Sequence, residues 1–277
     1  MLNNAIEEML NVGNVQMRYI RFGKGPSDLV ILQGLSTNSL EGQAALLART
    51  NRDFEEKYTV TVIDRREDVF EGITVRQMAA DVALAMDALK LSAADVLGIS
   101  QGGMIAQYLA IDRPDLVHKL VLALTLSRNN PTMQASIDSW TELTEKRQFD
   151  RLFDDMTARA FTQSYLKKIA PILPMLAAIH APKDPKSFFR RAKACLTCNA
   201  YDELDRIKCP VLVLGGELDN VLSAEGSREI AQKLGCELYI YDGLGHGISE
   251  EEAKDFNKRV LDFLCREEED AAKRELQ

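Results

Sequence analysis

Short apolar runs alternate with longer amphipathic segments along most of this chain, and this alternation restricts the folds open to it. Several of the runs are apolar without interruption, which is typical of parallel strands buried on both faces. Seven runs have the length and the aliphatic or β-branched content of strands, and they span residues 15–22, 29–32, 58–64, 96–99, 119–126, 210–216 and 236–243. The pattern predicts an α/β fold in which helices flank a mostly parallel sheet.

Helical spacing separates these predicted strands. Apolar residues recur every three or four positions from Thr74 to Leu91, and Thr74 is a suitable N-cap. Further helices are predicted over residues 102–111, 224–234 and 250–264.

One long segment, residues 128–205, interrupts the alternation and contains helical patterns only, over residues 133–147, 148–160, 162–169 and 185–199. Because it lies between two predicted strands, we interpret it as a helical cap inserted into a core made of residues 1–127 and 206–277. Within it, the uncharged stretch 169–181 either packs the cap against the core or forms an apolar lid wall. Pro171 and Pro174 are expected to break this stretch.

The charge and apolar content exclude several classes of protein. The 277 residues carry a net charge of −8, which is a poor match to a nucleic-acid backbone. No apolar run approaches the roughly 20 residues of a membrane helix, and the first residues lack the apolar centre of a secretion signal. We therefore expect a soluble, cytoplasmic protein, either a monomer or a homodimer, with a charged and solvated C-terminal tail.

The five cysteines do not form a disulfide framework, because their number is odd. Cys195 and Cys198 form a single CxxC sequence, and without a second pair this is a weak signal for zinc. We interpret the two as small buried thiols on a helix.

The sequence Gly98-Ile99-Ser100-Gln101-Gly102 is a G-x-S-x-G motif that follows a predicted strand and opens a predicted helix. In that setting the motif forms a strained turn that exposes the serine beside a helix N-terminus, which favours developing negative charge. We predict that Ser100 is a nucleophile. The alternative is a glycine-rich turn with an incidental serine.

A serine hydroxyl needs a base to activate it, and the chain has three histidines. His246 lies in a glycine-rich loop after the last predicted strand, and we predict that it is the base. His118 precedes a predicted strand and His180 lies in the predicted cap, and they are the alternatives.

The acid that orients the base should follow a strand between the serine and the histidine. Asp219 does so, in the sequence GGELDN after the strand at 210–216. We predict that Asp219 is this acid, and Glu217 is the alternative.

The order Ser100, Asp219, His246 on alternating strands and helices resembles that of the α/β-hydrolase superfamily. Residues 15–34 are similar to the opening hairpin and third strand of that family, residues 64–66 (DRR) to the start of its DxRGxGxS turn, and residues 98–122 to its elbow, following helix and sixth strand. The resemblance implies an eight-stranded core with a cap inserted after strand six.

The resemblance also implies an oxyanion hole formed by the backbone N–H groups of Leu35 and Gln101. The chain departs from the family pattern at two places: Gln33 replaces the usual histidine after strand three, and Glu67-Asp68 replaces glycines after the DRR sequence. Backbone donors do not depend on side-chain identity, so we expect the hole to be intact. Gln33 is expected to alter the hydrogen bonds around it.

Together these residues predict a cofactor-free serine hydrolase with no metal. Its partner is a small-molecule acyl substrate, which it cleaves at an ester-like bond (carboxylic ester, lactone or thioester) or at a C–C bond through an acyl-enzyme on Ser100. The same triad could serve an acyltransferase or a perhydrolase, and the fold could also serve a ligand-binding receptor without catalysis. Arg128, just after the sixth strand, is a candidate for binding a substrate carboxylate.

Overall fold

The computed structural model describes residues 5–266, and an eight-stranded sheet lies at its centre. Its strands are β1 Ile6–Val12, β2 Val15–Gly23, β3 Ser27–Leu32, β4 Tyr58–Arg66, β5 Ala94–Ile99, β6 Val117–Ala123, β7 Val211–Gly216 and β8 Glu237–Tyr241. They are ordered β1-β2-β4-β3-β5-β6-β7-β8, with β2 antiparallel to β1 and β4 and every other pair parallel. The predicted α/β fold with a mostly parallel sheet is confirmed.

Helices cover both faces of this sheet. They are α1 Ala44–Thr50, α2 Val75–Leu89, α3 Gln101–Asp112, α4 Pro131–Glu145, α5 Phe149–Ala160, α6 Gln163–Ile169, α7 Leu173–His180, α8 Pro185–Cys195, α9 Ala224–Leu234, α10 Ile248–Glu251 and α11 Ala253–Leu264. Buried side chains of α2, α3 and α9 form one apolar cluster with the sheet, and those of α1 and α11 form a second cluster with it. The sheet therefore separates two hydrophobic cores.

The structure differs from the sequence-based expectation at several elements. Strand β1 was not among the seven predicted runs, because it is an edge strand with no fully buried residue and two adjacent glutamates. The helix predicted over residues 250–264 is divided into α10 and α11 at Glu252. The strand predicted over residues 119–126 ends at Ala123, because Leu124 has a φ of +53°.

The segment between β6 and β7 is helical, as predicted, and contains α4 to α8. Residues 169–181 are broken at the prolines, as predicted: α6 ends at Ile169, Pro171 lies in a short 3-10 helix at Ala170–Ile172, and Pro174 lies in the first turn of α7, where its missing N–H costs little. No residue of α7 is fully buried, and Ile172, Met175 and Ile179 are about half exposed. This stretch therefore does not pack into the hydrophobic core. The bounds of the cap and its role remain predictions.

Within residues 5–266, no helix combines the length and the apolar character that crossing a bilayer requires. The charged tail was expected over residues 265–277, and all of it after Arg266 lies outside the described residues, as do residues 1–4.

Candidate active site

Ser100 lies at the sharp turn between β5 and α3, near the centre of the sheet. Its backbone has φ +54° and ψ −119°, a conformation that non-glycine residues rarely adopt. The turn is possible because Gly102 packs directly on the end of β3: a Cβ there would lie 1.9 Å from the Leu32 carbonyl oxygen. The strained turn holds the serine side chain at the carboxyl edge of the parallel strands.

The structure brings Ser100 together with the two other residues predicted from the sequence. Asp219 follows β7 and His246 follows β8, so all three lie at the same edge of the sheet. The His246 Nδ1 lies 2.8 Å from Asp219 Oδ2, and its Nε2 lies 2.9 Å from Ser100 Oγ. Because a carboxylate only accepts hydrogen bonds, Nδ1 carries the proton and Nε2 accepts from the serine hydroxyl.

The Asp219 carboxylate is almost fully buried, and every contact around it favours the charged form. Its Oδ1 accepts hydrogen bonds from the backbone N–H groups of Val221 and Leu222, both at 2.8 Å. Burial by itself would raise the pKa of this carboxyl, but the His246 imidazole and the two N–H donors outweigh burial and hold the pKa below its ordinary value. A negative charge is therefore fixed beside the imidazole.

The alternative bases and the alternative acid lie in other surroundings. His118 is at the opposite edge of the sheet, where its Nδ1 lies 2.9 Å from Asp95. His180 is the last residue of α7, and its ring stacks on that of Phe153. The Glu217 carboxylate is turned toward the Gly243 N–H, at 3.5 Å. None of these three side chains forms a hydrogen bond with Ser100 or His246.

A turn after β3 passes directly over Ser100. A Cβ on Gly34 would lie 3.3 Å from the Ser100 Cβ, so only glycine allows this approach without displacement. Among the described residues, no acceptor binds the N–H of Leu35, the next residue. Gln101 is the first residue of α3, so its N–H has no partner inside the helix. Both predicted oxyanion donors are therefore unoccupied beside the serine.

Two side chains that the sequence did not single out also belong to this region. The Arg65 guanidinium, at the end of β4, donates to the carbonyl oxygens of Gln33 and Gly34. Thr125 Oγ1 donates to the Ser100 carbonyl oxygen at 2.8 Å. Both contacts depend on the strand order of the sheet, which no local motif of the sequence encodes.

The helical segment between β6 and β7 contacts the loops around the site at several points. Asn38 Nδ2 donates to the carbonyl oxygens of Ile179 and Ala181, at 3.2 and 3.1 Å. The Gly247 N–H, next to His246, donates to the Ala160 carbonyl oxygen at 2.9 Å. These contacts connect the ends of α5 and α7 to the edge of the sheet where Ser100 lies.

Cys195 and Cys198 are buried free thiols, as interpreted from the sequence, although α8 ends at Cys195 and only the first of them is helical. Burial raises the pKa of Cys195 to about 11 and that of Cys198 to about 12, so both remain protonated at neutral pH. No group of three or more His, Cys, Asp or Glu side chains within residues 5–266 is arranged to hold a metal ion.

Arg128, the candidate for binding a substrate carboxylate, is paired with side chains of this chain. Its Nη2 lies 2.8 Å from Glu229 Oε1, and its guanidinium stacks over the Tyr201 ring at 4.2 Å. Because a surface carboxylate already pairs with this arginine, the structure adds no support for Arg128 as a substrate-binding residue.

Several named relatives match most of the chain. A protein of Caulobacter sp. (strain K31) that carries the provisional name carbamate hydrolase RutD is 29% identical over 197 residues, which are 70% of this chain and 74% of the relative. The 3-oxoadipate enol-lactonase 2 of Acinetobacter baylyi is 23% identical over 233 residues, 82% of this chain and 85% of the relative. A 2-hydroxy-6-oxononadienedioate/2-hydroxy-6-oxononatrienedioate hydrolase of Paraburkholderia xenovorans is 27% identical over 271 residues, 91% and 92% of the two chains.

A solved structure and a family model identify the fold and the family of this chain. The crystal structure of the enol-lactonase from Burkholderia xenovorans LB400 superposes with a TM-score of 0.79 at 24% identity, and covers 93% of this chain and 99% of that one, which shows that the two share a fold. The family model of the α/β hydrolase fold matches residues 29–253. The chain therefore belongs to the α/β hydrolase fold family and is an enzyme of that class.

Proposed function

We propose that the chain is a cofactor-free serine hydrolase that cleaves a small ester-like or C–C bond through an acyl-enzyme on Ser100. The observation that carries the proposal is the continuous hydrogen-bonded chain from Ser100 Oγ through His246 to Asp219. A serine becomes a nucleophile when a base accepts its proton and a third group orients that base. The left-handed backbone of Ser100 adds support, because such strain is typical of functional positions.

In the first half of the proposed reaction, Ser100 Oγ attacks the substrate carbonyl carbon while its proton passes to His246 Nε2. Asp219 stabilises the imidazolium that forms. The carbonyl oxygen becomes an oxyanion and accepts hydrogen bonds from the Leu35 and Gln101 N–H groups, for which residues 5–266 offer no other acceptor. When the tetrahedral intermediate collapses, the bond to the leaving group breaks, and His246 gives the leaving group its proton.

In the second half, a water molecule attacks the acyl carbon and His246 Nε2 accepts its proton. A second oxyanion forms in the same place, and its collapse breaks the bond to Ser100 Oγ, which recovers the proton from His246. The free carboxylic acid leaves. The complete cycle returns the triad to its starting state, so neither a metal nor a redox cofactor is needed.

We further propose that α4 to α8 act as a cap over the site. Support comes from their contacts with two loops and one helix start at the catalytic edge: Asn38 with the end of α7, Gly247 with the end of α5, and Gln101 at the start of α3 with the Arg191 carbonyl oxygen on α8 at 2.7 Å. A cap that limits water at Ser100 would strengthen the hydrogen bonds to the oxyanion.

The names of the relatives favour small carbonyl substrates, since they refer to a carbamate, an enol-lactone and a 2-hydroxy-6-oxo dicarboxylate. All three reactions can use one nucleophile and one oxyanion hole. We therefore propose a small-molecule acyl substrate and leave the choice between these bond types to the assay.

The test is a panel of p-nitrophenyl esters of increasing acyl length, together with small lactones and a carbamate, assayed on wild type and Ser100→Ala. We expect turnover in the wild type, a fluorophosphonate label at Ser100 by peptide mapping, and neither in the variant. A wild type that releases no acid and takes no label would refute the hydrolase proposal. Saturable binding of an ester without turnover would instead support a receptor.

A pair of histidine variants tests the base. His246→Ala should lose at least about 1,000-fold in kcat while its unfolding transition stays cooperative, because the serine then has no proton acceptor. His118→Ala is the matched control and should keep near wild-type kcat, since that side chain lies at the opposite edge of the sheet. Activity that survives in His246→Ala would assign the base to another residue.

A further inference from the structure

We propose that Arg65 is a positioning residue of the oxyanion hole: its guanidinium joins the turn that carries the Leu35 donor to the residue that carries the Gln101 donor. This inference rests on the proposed serine hydrolase function and goes beyond it. Arg65 lies at the end of β4, and β3 separates β4 from β5, so its side chain crosses the end of one strand to reach the elbow.

The first contact is with the turn after β3. Arg65 Nη2 donates to the Gln33 carbonyl oxygen and, at 3.3 Å, to the Gly34 carbonyl oxygen. The Gly34 carbonyl and the Leu35 N–H belong to one peptide unit. A cation bound to the carbonyl end polarises that unit and makes its N–H a stronger donor. Arg65 thus acts on the oxyanion donor through the peptide bond, without touching the substrate.

The second contact is with the residue after the nucleophile. Arg65 Nε donates to Gln101 Oε1 at 3.2 Å, and the Gln101 amide donates to the Arg191 carbonyl oxygen at 2.7 Å and to Cys195 Sγ at 3.1 Å. The buried Gln101 side chain is therefore held between Arg65 and helix α8. One guanidinium fixes the spacing of the two loops from which the oxyanion donors come.

The two donor peptides differ in how much other support they have. The Ser100 carbonyl, which shares a peptide unit with the Gln101 N–H, accepts three hydrogen bonds: from Thr125 Oγ1 and from the N–H groups of Gly103 and Met104. The Gly34 carbonyl lies in a turn outside any helix or strand, and among the described residues Arg65 is its only donor. Loss of Arg65 should therefore weaken the Leu35 donor more than the Gln101 donor.

The charge of Arg65 persists at working pH. Burial lowers the pKa of its guanidinium to about 10, which still leaves it protonated at neutral pH. Gln33, which replaces the histidine usual in this family, contributes its backbone carbonyl to this arrangement. The charged donor for the two carbonyl oxygens of this turn is therefore the Arg65 side chain.

The experiment compares Arg65→Met and Arg65→Lys with Arg66→Met. Arg66 is the matched control, because it is the neighbouring arginine and its guanidinium pairs with Asp81 at 2.9 Å and does not touch the turn. For each variant, kcat, KM and the burst rate of p-nitrophenol are measured with p-nitrophenyl acetate. The inhibition constant of phenylboronic acid is measured as well, because its tetrahedral adduct on the serine mimics the oxyanion state. Melting temperatures are measured in parallel.

We expect Arg65→Met to lower kcat and the burst rate about 10- to 100-fold with KM changed about twofold or less, and to weaken boronate inhibition by a similar factor. Arg65→Lys keeps the positive charge but loses the planar guanidinium that reaches several acceptors at once. Its kcat should therefore lie between those of Arg65→Met and the wild type. Arg66→Met should lose thermal stability while keeping kcat within about threefold. Should Arg65→Met fail to fold, Arg65→Lys carries the test, with a reduced kcat and weaker boronate inhibition expected.

Wild-type kcat and boronate inhibition in a folded Arg65 variant would overturn the inference, and so would an equal loss of kcat in Arg66→Met. A wild type that turns over no ester and takes no fluorophosphonate label at Ser100 is a different result, because it refutes the proposed function itself.

Discussion

At the scale of single residues, Asp219 illustrates how a carboxylate stays charged in an apolar interior. Desolvation acts against the charge, and three hydrogen bonds compensate for it: two from backbone N–H groups and one from His246. The backbone donors, Val221 and Leu222, lie in the loop between β7 and α9 just after Asp219, so the fold itself stabilises the acid. This arrangement fixes the orientation of the imidazole before any substrate arrives.

Asp219→Asn should lower kcat by about 10,000-fold with little effect on KM, because an amide facing Nδ1 favours the wrong imidazole tautomer. Steady-state turnover of p-nitrophenyl acetate measures the loss. Glu217→Gln is the matched control, and we expect near wild-type kcat because Glu217 faces Gly243. A similar loss in both variants would mean that general damage to the loop, and not the tautomer, is responsible.

Asp219→Asn should also change how the free energy of unfolding depends on pH. The pKa of Asp219 in the folded chain is lowered from the ordinary 3.8, so its charge contributes stability that is present above that value and is lost as the pH falls through the folded pKa. The difference in unfolding free energy between wild type and Asp219→Asn should therefore be constant above about pH 5 and shrink below about pH 4. Urea unfolding across this range measures it, and a difference that does not change with pH would contradict the lowered pKa.

The sequence was informative about residues whose role depends on local context. Ser100, Asp219 and His246 each follow a strand pattern, and glycines lie close to each of them, so the chain order and the turn chemistry were enough to select them. Arg65 gave no such signal. Its contacts with Gln33, Gly34 and Gln101 exist only because β4, β3 and β5 lie side by side, and that order depends on tertiary packing.

At the scale of secondary structure elements, the sequence predicted buried elements more accurately than exposed ones. The strands with continuous apolar runs were predicted close to their observed bounds, whereas the exposed edge strand β1 has no fully buried side chain to mark it. The seven-residue helix α1 was also missed, because it has only two buried residues. The break of residues 169–181 at Pro171 and Pro174 was predicted, but the start of α7 between the two prolines was not, because a proline in the first turn of a helix and one in its interior cannot be distinguished until the start of the helix is known.

Helix α2 offers a test of an element that does not touch the site. The Thr74 hydroxyl accepts from the Gln77 N–H, and the Gln77 side chain accepts from the Thr74 N–H, which together form a capping box. Thr74→Ala should therefore lower the free energy of unfolding by about 1 kcal/mol and leave kcat unchanged.

Urea denaturation measures this effect. Thr50→Ala is the control, because that hydroxyl bonds back to carbonyl oxygens of its own helix and caps nothing. We expect a change of about 0.5 kcal/mol or less there. Equal losses in the two variants would show that the cap adds no stability.

At the scale of the whole molecule, the sheet determines which chain segments meet. Ser100 follows β5, Asp219 follows β7 and His246 follows β8, and β6 is the strand through which β5 and β7 are connected. The two apolar clusters on the faces of the sheet hold the strands in this order. The connection between β6 and β7, residues 124–210, contains helices α4 to α8. The three residues of the site therefore meet only when the whole sheet has formed.

The place of that insertion has a consequence for the order of events during refolding. Pairing of β7 with β6 closes a loop that spans residues 124–210, whereas β3, β4, β5 and β6 pair across shorter segments. Closing a longer loop costs more chain entropy, and distant contacts form slowly. After dilution from urea, far-ultraviolet circular dichroism should therefore recover before the fluorophosphonate reactivity of Ser100, and a single shared rate would contradict this order.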